Sequence, residues 1–361
     1  MAAIHLLLKH AVDVGASDLH LTVGAPPLYR IHGDLEHVGN RPVVTESEAQ
    51  GLLYDIMTEQ QRQRFEQRHE LDFAYDLPSI GRFRANVFLQ ARGIGAVLRV
   101  IPGEIIPLED LWLPQAVTDF TRFTRGLVLV TGPTGSGKST TLTSMIDHIN
   151  RHRKAHIITI EDPLEYIHQN KQSVINQREI GIHSESFSNA LRSAFREDPD
   201  VILIGELRDL ETISLAITAA ETGHLVLATV HTGNAAKTID RIIDVFPTDR
   251  QAQVRTQLSE SLSGVISQQL LRRIDGRGRV AAVEVLIGVP ALRHLIREGK
   301  TYQISSIIQT GRREGMQTMD QAIVDLLKQG QIAPEEAHDK CIDRETFQRY
   351  LKKFSPEFSC F

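Results

Sequence analysis

The stretch "VTGPTGSGKST" fits GxxxxGK[ST] from Gly132 to Ser139. The apolar run "GLVLV" precedes it, and a helical pattern follows, with Leu142, Met145, Ile146 and Ile149 on one stripe. In that setting each residue type has a task. The loop Gly132-Pro133-Thr134-Gly135-Ser136-Gly137 curls at its glycines so that backbone N–H groups point at phosphate oxygens, with a helix dipole behind them. Lys138 reaches the β/γ-phosphates, Ser139 offers a hydroxyl to Mg²⁺, and Thr140 is counted with them among the nucleotide-binding residues. A fortuitous glycine-rich turn would need neither the strand before nor the helix after, so the pattern predicts ATP or GTP bound with Mg²⁺.

Phosphoryl transfer to water also needs a residue that orients or activates the water and an acid that holds the metal. In open α/β sheets the ligand lies beyond the carboxyl ends of the strands. The run "HIITI" leads into Glu161, Asp162 and Pro163, with Glu165 just beyond, and "VILIG" leads into Glu206. Glutamate reaches one carbon further than aspartate and suits a water-mediated role. Glu206 is therefore the first candidate for water activation or Mg²⁺ contact, and Glu165 and Glu161 compete for the same duty. Each could instead be a helix N-terminal acid that only stabilises a dipole; Asp162, just before Pro163, fits that plainer role well.

In "ETGHLVLATVHTG" two histidines flank one apolar run. His224 and His231 are seven residues apart. A strand of that length, at about 3.3 Å per residue, spans roughly 23 Å, which excludes one shared zinc. His231 falls at the carboxyl end, where an imidazole can hydrogen-bond a γ-phosphate or its attacking water. His224 falls at the opposite edge, which leaves packing or a site contributed by a neighbouring subunit.

These residues need a scaffold. "GLVLVTG", "HIITIED", "DVILIGE", "HLVLATVH" and "RVAAVEVLIG" are continuous apolar runs separated by helical segments, the pattern of a mainly parallel sheet covered on both faces. "DLETISLAITAAETG" reads as a helix ended by Gly223 at C′. Residues 1–100 differ. "DLHLTVG", "PLYRIHGDL", "HELDFAYDL", "GRFRANVFLQ" and "GAVLRVI" alternate as antiparallel strands, and Thr45 with Glu48 forms a capping box, giving an α+β module. The proline-bearing stretch "IPGEIIPLEDLWLP" opens a linker over 101–118; the core then occupies 119–289 and a helical region 290–361, whose last dozen residues read as a loose tail.

Composition narrows the class. At 361 residues, two or three domains of roughly 100–200 residues are expected. A net charge of −5 offers no global case for nucleic acid. No apolar stretch reaches the ~18–20 residues that span a bilayer, and the N-terminal "HLLLKH" is too short for a signal peptide. Cys341 and Cys360 form no CxxC pair, so a cysteine zinc site is excluded and a cytosolic chain is expected.

Four stretches in order, "GPTGSGKSTT", "IEDPLEY", "REDPDVILIGELRD" and "TAAETGHLVLATVHT", resemble the Walker A, Asp box, Walker B and His box of type II/IV secretion ATPases. "GASDLHL" with "GRFRANVF" is similar to that family's PAS-like N-terminal domain; "SESLSGVISQQLL", "ALRHLIREGKTYQI" and "GMQTMDQA" are similar to its PilT branch, motors that retract type IV pili. The resemblance implies a PAS-like domain, a RecA-like P-loop core and a helical C-terminal region. It further implies a homohexamer hydrolysing ATP at subunit interfaces, cytoplasmic and peripheral at the inner membrane through a pilus platform protein, with no direct nucleic acid. It also implies that Arg82, Arg84 and Arg99 reach the nucleotide across a domain or subunit boundary; exposed strand arginines on a solvated face are the plainer alternative. Assembly motors of the family carry an extra N-terminal domain and a tetracysteine motif, which this sequence lacks, and that favours retraction. The branch's AIRNLIRE helix here reads Ala291 to Glu298, with Leu292 for isoleucine and His294 for asparagine. The competing readings are a pilus or secretion assembly ATPase, a RecA-like nucleic-acid translocase, and a subunit that binds ATP without hydrolysing it.

Overall fold

The computed structural model describes residues 3–31, 33–37, 41–101, 103–276, 278–345 and 347. The tail expected at the C-terminus and Cys360 lie outside the described residues. Contacts divide the chain into two units, Met1–Ile105 with Pro163–Ile167, and Ile106–Asp162 with His168–Phe361.

The first unit runs α1 (Ala3–Asp13), β1 (Asp18–Leu21), β2 (Leu28–Ile31), β3 (Asp34–His37), α2 (Glu46–Tyr54), α3 (Glu59–Arg68), β4 (Glu70–Leu77), β5 (Gly81–Gln90) and β6 (Gly93–Ile101). Its strands form one antiparallel sheet in the order β3-β2-β1-β6-β5-β4. In α1, Ile4, Leu7, Leu8 and Ala11 recur at helical spacing and join Leu19, Phe83, Val87 and Leu98 in one core. The expected capping box is present at α2: the Thr45 backbone N–H donates to Glu48 Oε2 at 2.9 Å and the Thr45 side chain accepts from the Glu48 N–H.

The second unit runs α4 (Gln115–Phe120), β7 (Gly126–Thr131), α5 (Lys138–His152), β8 (His156–Glu161), β9 (Val174–Glu179), α6 (Phe187–Ala194), β10 (Val201–Ile204), α7 (Leu210–Glu221), β11 (Leu225–Val230), α8 (Ala235–Asp244) and α9 (Thr248–Ser261). It continues with β12 (Leu262–Arg272), β13 (Arg279–Ile287), α10 (Pro290–Arg297), α11 (Ile304–Thr310), α12 (Met319–Lys328) and α13 (Pro334–Lys340). The seven strands lie in the order β13-β12-β7-β11-β10-β8-β9. All neighbours pair in parallel except β12 with β13.

That exception corrects one expectation. "RVAAVEVLIG" is a strand, but it returns antiparallel beside β12 rather than extending the parallel set. Burial on both faces makes its apolar run look like its parallel neighbours, so run character alone cannot give direction. Two strands, β9 and β12, have no counterpart among the sequence runs. In β12 the apolar pattern is interrupted by Ser267, Gln268 and Gln269.

Alternate residues of the central strands feed two cores, as a sheet buried on both faces requires. Leu127, Leu129, Ile202 and Val226 join α6 to α10 on one side, while Val128, Val130, Leu203 and Leu227 meet the Leu142–Met145–Ile146–Ile149 stripe of α5 on the other. Cys341 packs with Leu271, Met319, Ile323 and Ala337 in a smaller core. Among the described residues no helix is long and apolar enough to cross a membrane.

Candidate active site

Strand β7 ends at Thr131 and α5 begins at Lys138, so the phosphate loop is the turn between them. Gly132 has φ +146°, and a Cβ there would lie 2.2 Å from the Gln268 carbonyl oxygen. Only glycine fits beside β12 at that point. The buried Lys138 ammonium donates to the carbonyls of Gly132 and Pro133, each at 2.9 Å. Pro133, Thr134, Gly135 and Ser139 are exposed, Gly137 and Thr140 are half-buried, and Ser136 is buried. The Ser136 hydroxyl has no hydrogen-bond partner among the described residues. A buried orphan hydroxyl inside a turn of this shape fits a polar ligand such as a phosphate.

Glu206 stands in the connection from β10 to α7, at the carboxyl end of a strand that β11 separates from β7. The flanking backbone is pinned on both sides: the Gly205 N–H donates to the Ile160 carbonyl at 2.8 Å, and the Leu207 N–H to the Thr229 carbonyl at 3.0 Å. Its carboxylate accepts from Arg208 Nη2 at 2.7 Å and lies 3.4 Å from His231 Nε2. Burial works to raise the Glu206 carboxyl, but Arg208 and His231 outweigh it and hold it below the usual carboxylate range. A carboxylate so held is ionised at neutral pH, suited to orienting a water or contacting a cation rather than to strong proton abstraction. Ser139, exposed in the first turn of α5, and Glu206 are hard oxygen donors of the kind Mg²⁺ takes.

Arg208 was not singled out by sequence reasoning. Its signal was present, since two residues apart on an extended segment means one side. Gln268 was also missed. Its side-chain carbonyl accepts from Thr141 Oγ1 at 2.8 Å, and its backbone abuts Gly132, so β12 braces the loop from the side. A cleft of about 400 Å³ opens there, lined by residues that include Pro133, His231, Gln268 and Lys340.

The two histidines separate as the strand direction requires. His231 follows β11 at its carboxyl end and faces Glu206. His224 precedes β11, and its Nδ1 lies 3.0 Å from the Ala219 carbonyl and 3.3 Å from Thr222 Oγ1, against the end of α7. Gly223, at φ +113°, makes the turn out of that helix. Glu161 closes β8, half-buried. The helix-cap role expected for Asp162 does not hold: the chain runs from β8 to β9 with no helix between them, and the exposed Asp162 instead adds its charge to the field at Arg208.

Glu165 belongs to the first unit with the three arginines. Arg82 and Arg84 share one face of β5, and Arg84 stands opposite Arg99 on β6. Like charges directly opposite are unfavourable, and carboxylates relieve them. Asp18 accepts from Arg99 Nε at 2.9 Å, Glu165 lies 4.0 Å from Arg84, and Asp76 accepts from Arg82 at 2.8 Å. Arg82 Nε also donates to the Leu164 carbonyl at 3.1 Å. The structure thus groups Arg82, Arg84, Arg99 and Glu165 in one unit, and the phosphate loop, Glu161, Glu206, Arg208 and His231 in the other.

The sequence profile of the family described as Type II/IV secretion system protein matches residues 1–324. The chain belongs to the type II/IV secretion system protein family. One relative within it, from Pseudomonas aeruginosa and named as the type IV pilus retractation ATPase PilT, is 52% identical over 94% of this chain and 98% of its own. A twitching motility protein of Neisseria gonorrhoeae is 54% identical over 89% of this chain and 85% of its own. A crystal structure of the pilus retraction motor PilT with bound ADP aligns at a TM-score of 0.88 and 49% identity, covering 97% of this chain and 99% of that one. For a type II/IV secretion system protein, the α/β core with its mixed, mostly parallel sheet is the family's fold.

Proposed function

We propose that the protein is a P-loop ATPase motor that powers type IV pilus retraction. What carries the reading is the gathering of Glu206, Arg208 and His231 at the carboxyl ends of β10 and β11, with β11 paired to the strand that leads into the phosphate loop, in a chain similar over nearly its full length to a retraction ATPase. ATP sits with its phosphates on the loop amides, and Lys138 leaves its two loop carbonyls to reach the β/γ-phosphates. Ser139 and Glu206 hold Mg²⁺, which when bound neutralises phosphate charge. Glu206, or in competition Glu165 or Glu161, orients the attacking water. His231 reports the γ-phosphate. Arg82, Arg84 and Arg99 supply guanidinium groups to the transferring phosphoryl across a domain or subunit boundary. His224, at the far edge of its strand, serves a neighbouring subunit or packing.

In this reading residues 1–100 form the PAS-like domain, 119–289 the ATPase core and 290–361 the helical region. The working state is a homohexamer, cytoplasmic and peripheral at the inner membrane through a pilus platform protein. Deleting the chain from a piliated host tests the reading: retraction predicts hyperpiliation with lost twitching. Loss of pili would overturn retraction and point to an assembly motor.

A further inference from the structure

Glu284 is a buried carboxylate that none of the nucleotide motifs includes and no step above uses. It sits on β13 with 6% of its surface exposed. One rung of the sheet crosses four strands as Glu284, Ser267, Thr131 and Val230. The next residues along the chain are Gly132 of the phosphate loop, after Thr131, and His231, after Val230. Along the rung Thr131 Oγ1 donates to Ser267 Oγ at 3.0 Å, and the Ser267 hydroxyl in turn hydrogen-bonds the Glu284 carboxylate. The same carboxylate accepts the Ala235 backbone N–H at 2.8 Å and hydrogen-bonds the backbone of Met319. Those residues open α8 and α12, so the charge stands at two positive helix ends. Only Thr232, Gly233 and Asn234 separate His231 from Ala235, and Asn234 caps α8 by accepting from the Lys237 N–H at 2.8 Å.

We propose that Glu284 is a positioning residue for hydrolysis. Through Ser267 and Thr131 it ties the phosphate-loop strand, and through Ala235 the His231 turn, to one fixed point. Loop and histidine then keep their registry through turnover. Burial pushes the Glu284 carboxyl above the usual range, against the pull of its hydrogen bonds. An aliphatic side chain would fill the place without that desolvation, so the carboxylate is there for its hydrogen bonds. The inference rests on reading the site as an ATPase.

The test compares the full-length protein with Glu284→Gln and Ser267→Ala for turnover, affinity for a fluorescent ADP analogue, and thermal unfolding. Gln keeps the shape but turns an NH₂ toward one of the helix N–H groups. Ser267→Ala keeps both helix contacts and cuts only the path to Thr131. The expected result is kcat lower by about tenfold or more in Glu284→Gln and about threefold in Ser267→Ala, with Kd within about threefold of wild type. A folded Glu284→Gln variant with wild-type kcat overturns the proposal, as does parallel loss of affinity and turnover. If Glu284→Gln does not fold, Ser267→Ala decides alone, and wild-type kcat there overturns it. A wild type without turnover would instead bring down the ATPase reading beneath it.

Discussion

At the scale of single residues, the hydrolytic assignment turns on the contacts around Glu206. Arg208 lies 2.7 Å from its carboxylate and is the main group holding it ionised against burial. Arg208→Ala removes the strongest of the groups that lower the Glu206 carboxyl, so that carboxyl rises. The acid limb of the kcat–pH profile therefore moves to higher pH, and an unmoved limb would count against Glu206 as the titrating group. His231 tests the other side of the carboxylate. His231→Ala is expected to lower kcat by about a hundredfold while nucleotide Kd stays within a few-fold, read by phosphate release and by nucleotide titration. Equal loss of both would make the histidine a binding group. These roles were partly legible in the sequence. The phosphate loop, Glu206 and His231 announce themselves through position after an apolar run. Glu284 does not, because its meaning lies in partners far away in the chain, such as Ala235, while Arg208 is betrayed only by its spacing of two residues from Glu206.

At the scale of elements, the alternating strands of the first unit are legible by their period, whereas in the second unit the strands with two apolar faces stand out and β9 and β12, which carry polar residues, do not. β12 escapes because Ser267, Gln268 and Gln269 interrupt its pattern, and two of them, Ser267 and Gln268, brace the rung and the loop beside it. β13 is legible as a strand but not in direction, since burial on both faces erases the difference between parallel and antiparallel. A second element-level consequence concerns the segment between β8 and β9. His168 is half-buried there, with its Nδ1 shielded from solvent and lacking a hydrogen-bond partner among the described residues, and that desolvation drives its pKa from 6.5 down to about 4. The unfolded chain binds that proton first as pH falls, so stability is lost between pH 6.5 and about 4, by up to ~1.4 kcal/mol per pH unit. Chemical denaturation of wild type and His168→Leu across that window checks it: the wild type should lose stability relative to the variant, and parallel curves would refute the assignment.

At the scale of the whole molecule, two units divide the groups that the proposed reaction needs. One carries Arg82, Arg84, Arg99 and Glu165, the other the phosphate loop, Glu206, Arg208 and His231. A guanidinium cluster on one sheet face, with carboxylates offsetting part of its charge, is suited to meeting a phosphoryl group. The net charge of −5 is unhelpful to a nucleic-acid translocase and neutral toward a protein-driven motor. The most direct measurement is steady-state ATP turnover by the purified full-length protein with Mg²⁺, beside Glu206→Gln under the same conditions. Turnover is expected in the wild type, with loss of it by at least about a hundredfold in the variant and nucleotide affinity kept in both. No wild-type turnover, or a variant as fast as the wild type, would contradict it.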